Sequence, residues 1–477
     1  MSMADFYMWL PRITTLLFIG AFGASVGSLI NVLVYRLPLG MGVVTPASRC
    51  PACDRKLTWR ENIPIFGWLI LKGRCRFCNS KISPEYPIVE SVVAILFMAF
   101  WALWYVVPDS AGFWASIRPE WALNDVQSAF PTKTWPAMVV LLMLVGSLVA
   151  MTIVDAKTYT IPLVLAWVPL AIGVIGHTGH ALWFELSHGV MEQASSTRWV
   201  LPDRATWTTP DGSRWLSEIG WQWTITTPDT TEWRWIGAAL GGVLGLIVAN
   251  ALVALGLVRR SFADYDEWEA KALAERQVET PGTQQPTEGD QESEPAPLNT
   301  QPQESAADLW IQYPHARREM VKEMAFLAPV VGLAIVGAWL LNPVGGPLAQ
   351  TGAAPLWLAV LAGSLLGALA GGGVVWAVRI LGSIAFGKEA MGLGDVHLMA
   401  AVGACLGWID PVIAFFGAAF VGVAWALLGA MIGGGFKRAM PYGPFLAIAT
   451  LMVLLGKPWI EVVLAKLSGA PGPLSLP

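Results

Sequence analysis

The chain has 477 residues, of which 55% are hydrophobic and 13% charged, and its mean hydropathy is +0.54. Soluble proteins carry about 25% charged residues, so this composition excludes an ordinary soluble enzyme and indicates a multi-pass protein surrounded by membrane lipid. The formal net charge of −4 says little, because its distribution matters more than its sum. The lack of a strongly basic stretch argues against nucleic acid as a partner.

The first apolar segment covers residues 13–34 and is long enough to cross a membrane once. No basic start and no small-residue cleavage site accompany it, so we expect an anchor that is retained. Its polar Ser28 and Asn31 suggest helix–helix contact, which the small Gly27 and Ser28 would allow to be close; the alternative is a ligand-binding role for this polar patch. Residues 36–86 follow as a polar loop with nine Lys or Arg against three acids, which predicts a cytoplasmic loop and an outer N-terminus.

Four of the five cysteines lie in this loop as two C-x-x-C pairs. Two such pairs are typical of one tetrahedral zinc site, and four thiolates leave no open position, so we expect structural zinc. The alternative is a redox-active pair, but no βαβ pattern surrounds either one. The fifth, Cys405, lies on an apolar helix and is expected to be buried. The predicted zinc ligands are Cys50, Cys53, Cys75 and Cys78.

Two membrane segments are predicted next, at residues 88–107 and 137–154. The second returns the chain to the cytoplasmic side at Asp155. Pro162 then begins another segment, which we expect to end near Ile175, since proline is tolerated in a first helical turn.

The middle of the chain is predicted to hold an insertion. Residues 176–234 are rich in tryptophan and turn signals, which indicates a small β-rich module on the outer side. A membrane helix at 235–258 precedes an acidic, disordered cytoplasmic linker at 259–322. Residues 323–355 supply a further helix and an outer loop. We expect three histidines of this region to lie at the surface: His177, His180 and His188.

Residues 356–460 form the last group of membrane helices and are followed by a tail at 461–477. Asp395 stands at the edge of an apolar segment, where an ionisable group is costly and suggests a function. Residues 396–406 are short for a full crossing. The predicted fold is all-α, with about ten membrane helices, a small cytoplasmic zinc-ribbon-like domain, a β-rich outer insertion and both termini outside.

The predicted topology places Asp155 and Asp395 at the same cytoplasmic edge. Two close carboxylates do not ionise together easily, so one holds a proton while the other acts as a base. Such a pair activates water against a peptide carbonyl without a metal. The alternative is that each aspartate caps a helix or pairs with a lysine such as Lys157 or Lys388. His397 is expected to make a polar contact; the alternative is that it tunes Asp395 or touches substrate.

These motifs together resemble the bacterial prepilin peptidases, also called type IV leader peptidases of family A24. The resemblance covers residues 13–175 and 356–460. It is carried by Gly27–Pro38, the two cysteine pairs, Trp59–Pro64 and Ile82–Glu90, and by Asp155 with Ile161-Pro162, Gly392–Val396 and Pro441–Phe445. Within these motifs the supporting residues are Pro162, Gly392, Gly394, Pro441, Gly443 and Pro444.

The resemblance implies a multi-pass aspartic endopeptidase of the bacterial inner membrane, with Asp155 and Asp395 as the catalytic pair. It implies that the enzyme removes the basic leader of type IV prepilins or type II secretion pseudopilins. It also implies methylation of the new N-terminus with S-adenosylmethionine, an activity tied to the cysteine-bearing domain. His397 replaces the family's usual Lys, Leu163 replaces Asp or Asn, and residues 176–355 lie outside the family's usual pattern.

Two other functions remain open from the residues. The glycines before Asp395 also occur in intramembrane proteases of broader specificity. A non-enzyme alternative is a zinc-bearing membrane scaffold or a transporter that uses the carboxylates for ion coupling.

Overall fold

The computed structural model describes residues 3–45, 47–107, 112, 114, 134–188, 192–195, 198–200, 232–265, 267–268, 270–271, 313–350, 354–431 and 441–469. The described chain is mostly helical. Its elements are α1 (Met3–Arg36), α2 (Phe66–Ile70), α3 (Glu85–Trp101), α4 (Trp135–Thr158), α5 (Leu163–His188), β1 (Glu192–Ser195), β2 (Arg198–Val200), α6 (Glu232–Ala254), α7 (Ala316–Leu340), α8 (Leu356–Phe386), α9 (Leu393–Leu406), α10 (Ile409–Met431) and α11 (Gly443–Ser468).

Eight helices in the described part of the chain are long and apolar enough to cross a membrane. A bent pair within α11, Gly443–Lys457 and Trp459–Leu467, would make a ninth. The 14-residue α9 is apolar but short, as its sequence predicts. The protein is thus a multi-pass membrane protein, with eight or up to nine candidate spans in the described part of the chain, and the expected total of about ten stays a prediction.

Helix α4 lies at the centre of the main helical core. It is the most enclosed of the eight spans, with 67% of its apolar window buried. Buried side chains such as Leu144 and Met151 pack there with Phe97 of α3 and Met399 of α9. A helix that is apolar on all sides suits a central position, because every face meets protein.

The first and third helices pack closely through small residues, as the sequence predicts. A Cβ atom at Gly27 would lie 2.6 Å from the Glu90 Cα, so only glycine permits this approach of α1 to α3. The Asn31 side chain donates to the Tyr86 carbonyl at 3.1 Å across the same interface. Gly27 and Asn31 therefore both take part in the packing of α1 against α3.

Helix α5 continues to His188, well beyond the expected end near Ile175. His177 and His180 consequently lie inside the protein, and the prediction that they are surface residues is wrong. The His177 ring contacts the Cys405 carbonyl oxygen at 3.0 Å. Polar residues in Gly176–His188 suggested an outer loop, but this segment extends α5, and the His177 ring packs against α9.

The expected β-rich insertion is described only in part. Strands β1 and β2 pair as an antiparallel hairpin, with Gln193 opposite Trp199. Residues 201–231, which hold most of the tryptophans, lie outside the described part of the chain.

Both ends of the expected acidic linker are structured. Phe262, Tyr265, Trp268 and Tyr313 pack their rings together, with centroids 5.2–6.4 Å apart. The Tyr313 hydroxyl donates to the Asp264 carboxylate at 3.0 Å, and burial, together with this bond, raises the pKa of Tyr313 to about 12. We call these four rings the aromatic cluster. The expected disordered segment, with its limits at 259 and 322, therefore includes residues that are ordered at both ends. Residues 272–312 lie outside the described part of the chain.

Candidate active site

Asp155 lies in the last turn of α4. The helix ends at Tyr159, whose left-handed φ of 54° lets its N–H reach back to the Asp155 carbonyl at 2.9 Å. The side chain of Asp155 is buried at 6% exposure. Its nearby lysine, Lys157, pairs with Glu85 of α3 instead. The central helix α4 thus has a buried carboxyl group near its C-terminal end.

Asp395 lies in the first turn of α9 and is also buried, at 7% exposure. Gly392 caps this helix in an extended conformation. At Gly394 a Cβ atom would lie only 2.9 Å from the Ile161 Cβ. Glycine at this position therefore lets the first turn of α9 approach the α4–α5 connection.

The two aspartates meet at the start of α11. The Gly443 N–H donates to Asp155 Oδ2 at 3.0 Å. The preceding residue, Tyr442, lies within electrostatic range of Asp395. Its pKa is raised to about 12, mainly by burial and in addition by the nearby charge of Asp395. The electrostatic influence of Asp155 also reaches the Asp395 carboxyl group. The structure thus brings together two residues that are 240 positions apart in the chain.

The side chain of Ile161 fills the space beside this pair. Its Cδ1 would lie 3.4 Å from a Cβ atom at Gly394 and 3.4 Å from one at Gly443. Pro162 follows Ile161 and directly precedes α5, which begins at Leu163. Pro444 lies in the first turn of α11. These supporting residues leave little room around the carboxyl groups, so the pair lies in a closely packed, apolar setting.

His397 and Cys405, two further residues of α9, make local contacts. The His397 Nδ1 lies 2.8 Å from the Leu393 carbonyl oxygen, one turn earlier on α9, and its ring is 6.0 Å from that of Trp167. Cys405 is buried, as predicted, with its thiol 3.3 Å from the Pro169 carbonyl oxygen.

The cysteine tetrad forms a second candidate site, separate from the aspartates. The four sulfur atoms lie within 4.8 Å of one another, and none is in a disulfide. The Cys50 and Cys78 sulfurs are 3.8 Å apart, close to the ~3.8 Å edge of a tetrahedron with Zn–S bonds of about 2.3 Å. The donor set and its spacing therefore fit zinc.

Two matching turns build this tetrad. An antiparallel backbone bridge joins Arg49 to Lys56 around the first cysteine pair. A second one joins Arg74 to Lys81 around the second pair. Hydrogen bonds with Ser80 lower the pKa of the Cys78 thiol to about 6, and thiolate is the form that binds metal. The Ile65 N–H donates to Glu90 of α3 at 2.6 Å, which fastens the loop to the helical core.

Sequence reasoning missed one buried charged group near the pair. Arg379, on apolar α8, is only 2% exposed and contacts Glu323 and Glu389. The signal was present, because an ionisable residue within a membrane segment is by default a candidate functional residue. The Gly443 N–H was not predicted to contact Asp155, since only the fold brings the two together.

Comparison with known proteins relates two parts of the chain to one family. The family model of the bacterial peptidase A24 N-terminal domain matches residues 21–104, which include all four cysteines of the tetrad. The model of the type IV leader peptidase family matches residues 326–427, which include Asp395. This second match begins before residue 356, the expected start of the peptidase core. Asp155 lies between the two matched ranges.

The curated relatives are named as enzymes that process prepilins or prepilin-like proteins. A prepilin leader peptidase/N-methyltransferase of Myxococcus xanthus is 48% identical over 82 residues, 17% of this chain and 24% of the relative. One from Pectobacterium carotovorum subsp. carotovorum is 30% identical over 183 residues, 33% of this chain and 56% of the relative. A type 4 prepilin-like proteins leader peptide-processing enzyme of Escherichia coli is 35% identical over 111 residues, 20% and 39% respectively.

The chain therefore spans between about a quarter and just over half of these relatives' own length. No solved structure matches it. The resemblance to the prepilin peptidases is confirmed for the matched regions.

Proposed function

We propose that this chain, which carries two regions of the type IV leader peptidase family, is a membrane aspartic endopeptidase that removes the leader of prepilins or pseudopilins. The observation that carries the proposal is the meeting of Asp155 and Asp395 at the start of α11. The relatives' names supply the substrate class. The setting is the bacterial inner membrane, as for the family in general.

The proposed chemistry uses the two carboxyl groups in different protonation states. The Gly443 N–H donates to Asp155 and so favours its ionised form, because a hydrogen bond to a carboxylate stabilises the charge. Asp155 is therefore the base and Asp395 the acid. Asp155 takes a proton from water, whose oxygen bonds to the scissile carbonyl carbon. The C–N bond then breaks as the departing amine receives the Asp395 proton.

The position of the pair at helix ends suits a substrate with both a polar and a membrane part. Asp155 lies near the end of α4 and Asp395 near the start of α9. In such a substrate the basic leader lies outside the bilayer and the apolar helix lies within it. The scissile peptide bond between the two parts would then lie at the same membrane depth as the two aspartates. The basic loop at residues 36–86 supports a cytoplasmic position for the two aspartates.

We also propose that the product is methylated on its new N-terminal amine. The relatives are named as N-methyltransferases, and S-adenosylmethionine is the methyl donor that this implies. No residue is assigned to that cofactor. The four cysteines would hold one structural zinc, which would tie their two turns into one domain.

The test combines the purified full chain, a prepilin and labelled S-adenosylmethionine, and measures the mass of the product N-terminus. We expect the leader to be lost after its glycine and one methyl group to be added. A prepilin whose glycine is replaced by a bulky residue serves as the control and should remain intact. Equal cleavage of both substrates would favour an intramembrane protease of broader specificity. Absence of cleavage would refute the peptidase and leave the scaffold or transporter.

A further inference from the structure

The guanidinium group of Arg379 is the centre of a buried ion network next to the candidate active site. Its Nε and Nη2 donate to Glu323 of α7 at 3.1–3.2 Å, and its Nη1 donates to Glu389 and to the Met391 carbonyl. All three of its nitrogens are therefore used. The ring of Phe262 covers the guanidinium at 5.4 Å from its centroid.

This network holds the short segment that leads into α9. Met391 directly precedes Gly392, and Asp395 follows within the first turn. On the same segment the Ala390 N–H donates to the buried Ser383 hydroxyl at 3.0 Å. The charge of Arg379 also acts on Asp395 itself. The entry to α9, and with it the position of Asp395, is thus fixed from α8.

The partners of Arg379 come in part from a region that neither family match covers. Glu323 and Phe262 lie between residues 104 and 326, outside both matched ranges. Trp376 donates to Glu323 at 2.6 Å and orients its carboxylate. The Phe262 N–H donates to Glu319 at 2.7 Å, one turn before Glu323 on α7. The aromatic cluster therefore closes over the network from the inserted part of the chain.

We propose that Arg379 is a positioning residue for Asp395 and that Glu323, supplied by the inserted part of the chain, holds Arg379 in place. The inserted part thus acts on the reaction without contacting substrate. This inference rests on the proposed peptidase function for its kinetic readout, but not for its structural readout. Arg rather than Lys is required at position 379, because only a planar fork serves a carboxylate and a carbonyl at once.

The test uses two variants and one control in the full-length protein. Glu323→Gln removes a negative charge but keeps the shape of the side chain, and Arg379→Lys keeps the charge but loses the fork. Glu267→Gln is the matched control, since it makes the same change at an exposed residue of the inserted part. We measure kcat and KM for leader removal, and amide hydrogen exchange in residues 387–392.

In both variants we expect kcat to fall about tenfold or more, because small misplacements of a reacting group are costly, with KM within about twofold. The Ala390 amide should exchange about tenfold faster. The control should match the wild type in both readouts. If Arg379→Lys fails to fold, Glu323→Gln decides alone.

A wild-type kcat in folded Glu323→Gln, or unchanged exchange at residues 387–392, would overturn the inference. If the wild-type chain itself cleaves no prepilin, the peptidase proposal fails. The exchange measurement then still decides whether this network holds the segment.

Discussion

Substitution of Gly443 by alanine tests the hydrogen bond that we place at the centre of the site. A Cβ atom at this position would lie 2.6 Å from Asp155 Oδ2. To reach the ordinary contact of 3.4 Å, the carboxyl oxygen must move away by about 0.8 Å, because the backbone of α11 cannot yield as easily as a side-chain tip. This movement breaks the 3.0 Å bond from the Gly443 N–H.

The size of the effect follows from that lost bond. A hydrogen bond to a charged group contributes about 1.5–3 kcal/mol, which corresponds to a roughly 10- to 100-fold lower kcat if the bond aligns the base in the transition state. KM should change little, because Gly443 contacts the base rather than the substrate. The fold should persist, since alanine is a good helix former.

The assay is the rate of leader removal from a prepilin in detergent or liposomes. The matched control is Gly417→Ala on α10, where a Cβ atom would lie 3.6 Å from the Ala449 Cβ of α11, an ordinary contact. This control should cleave at the wild-type rate. Wild-type kcat in Gly443→Ala would refute the role that we give to the Gly443 contact.

Two further predictions concern the cysteine domain and the helix packing. The wild-type chain should contain about one zinc, and the quadruple Cys→Ser variant none, by elemental analysis; stoichiometric zinc in that variant would contradict the assignment. Gly27→Leu should lower the thermal midpoint by forcing α1 away from Glu90 of α3, at a cost of about 1–3 kcal/mol. Gly429→Leu on α10, where a Cβ meets nothing within 4 Å, is its control, and equal midpoints would refute the packing argument.

The sequence was sufficient where the determining physics is local. Continuous apolar segments located the membrane helices, and the two cysteine pairs identified the tetrad that the structure gathers. The charge of the first loop predicted one membrane side for Asp155 and Asp395, which made their meeting expected. The close packing at Gly27 followed from residue size alone.

The sequence was insufficient where distant segments decide the outcome. The polar start of the expected outer module belongs to α5, because His177 finds a partner on α9, which no local pattern reveals. The ordered ends of the linker depend on the contact between the rings of Phe262 and Tyr313, two residues that are far apart in the chain. Arg379 was detectable as a charge in an apolar helix, but its partners were not.

The central claim is that Asp155 and Asp395 act as one catalytic pair. The most direct test is the N-terminal mass of a prepilin after incubation with Asp155→Asn or Asp395→Asn, each shown to insert and to retain zinc. Asp410→Asn supplies a control, because Asp410 is also buried but pairs with Lys457 away from the site. We predict that each active-site variant leaves the leader attached, while Asp410→Asn removes it. Normal leader removal by either active-site variant would contradict the pair.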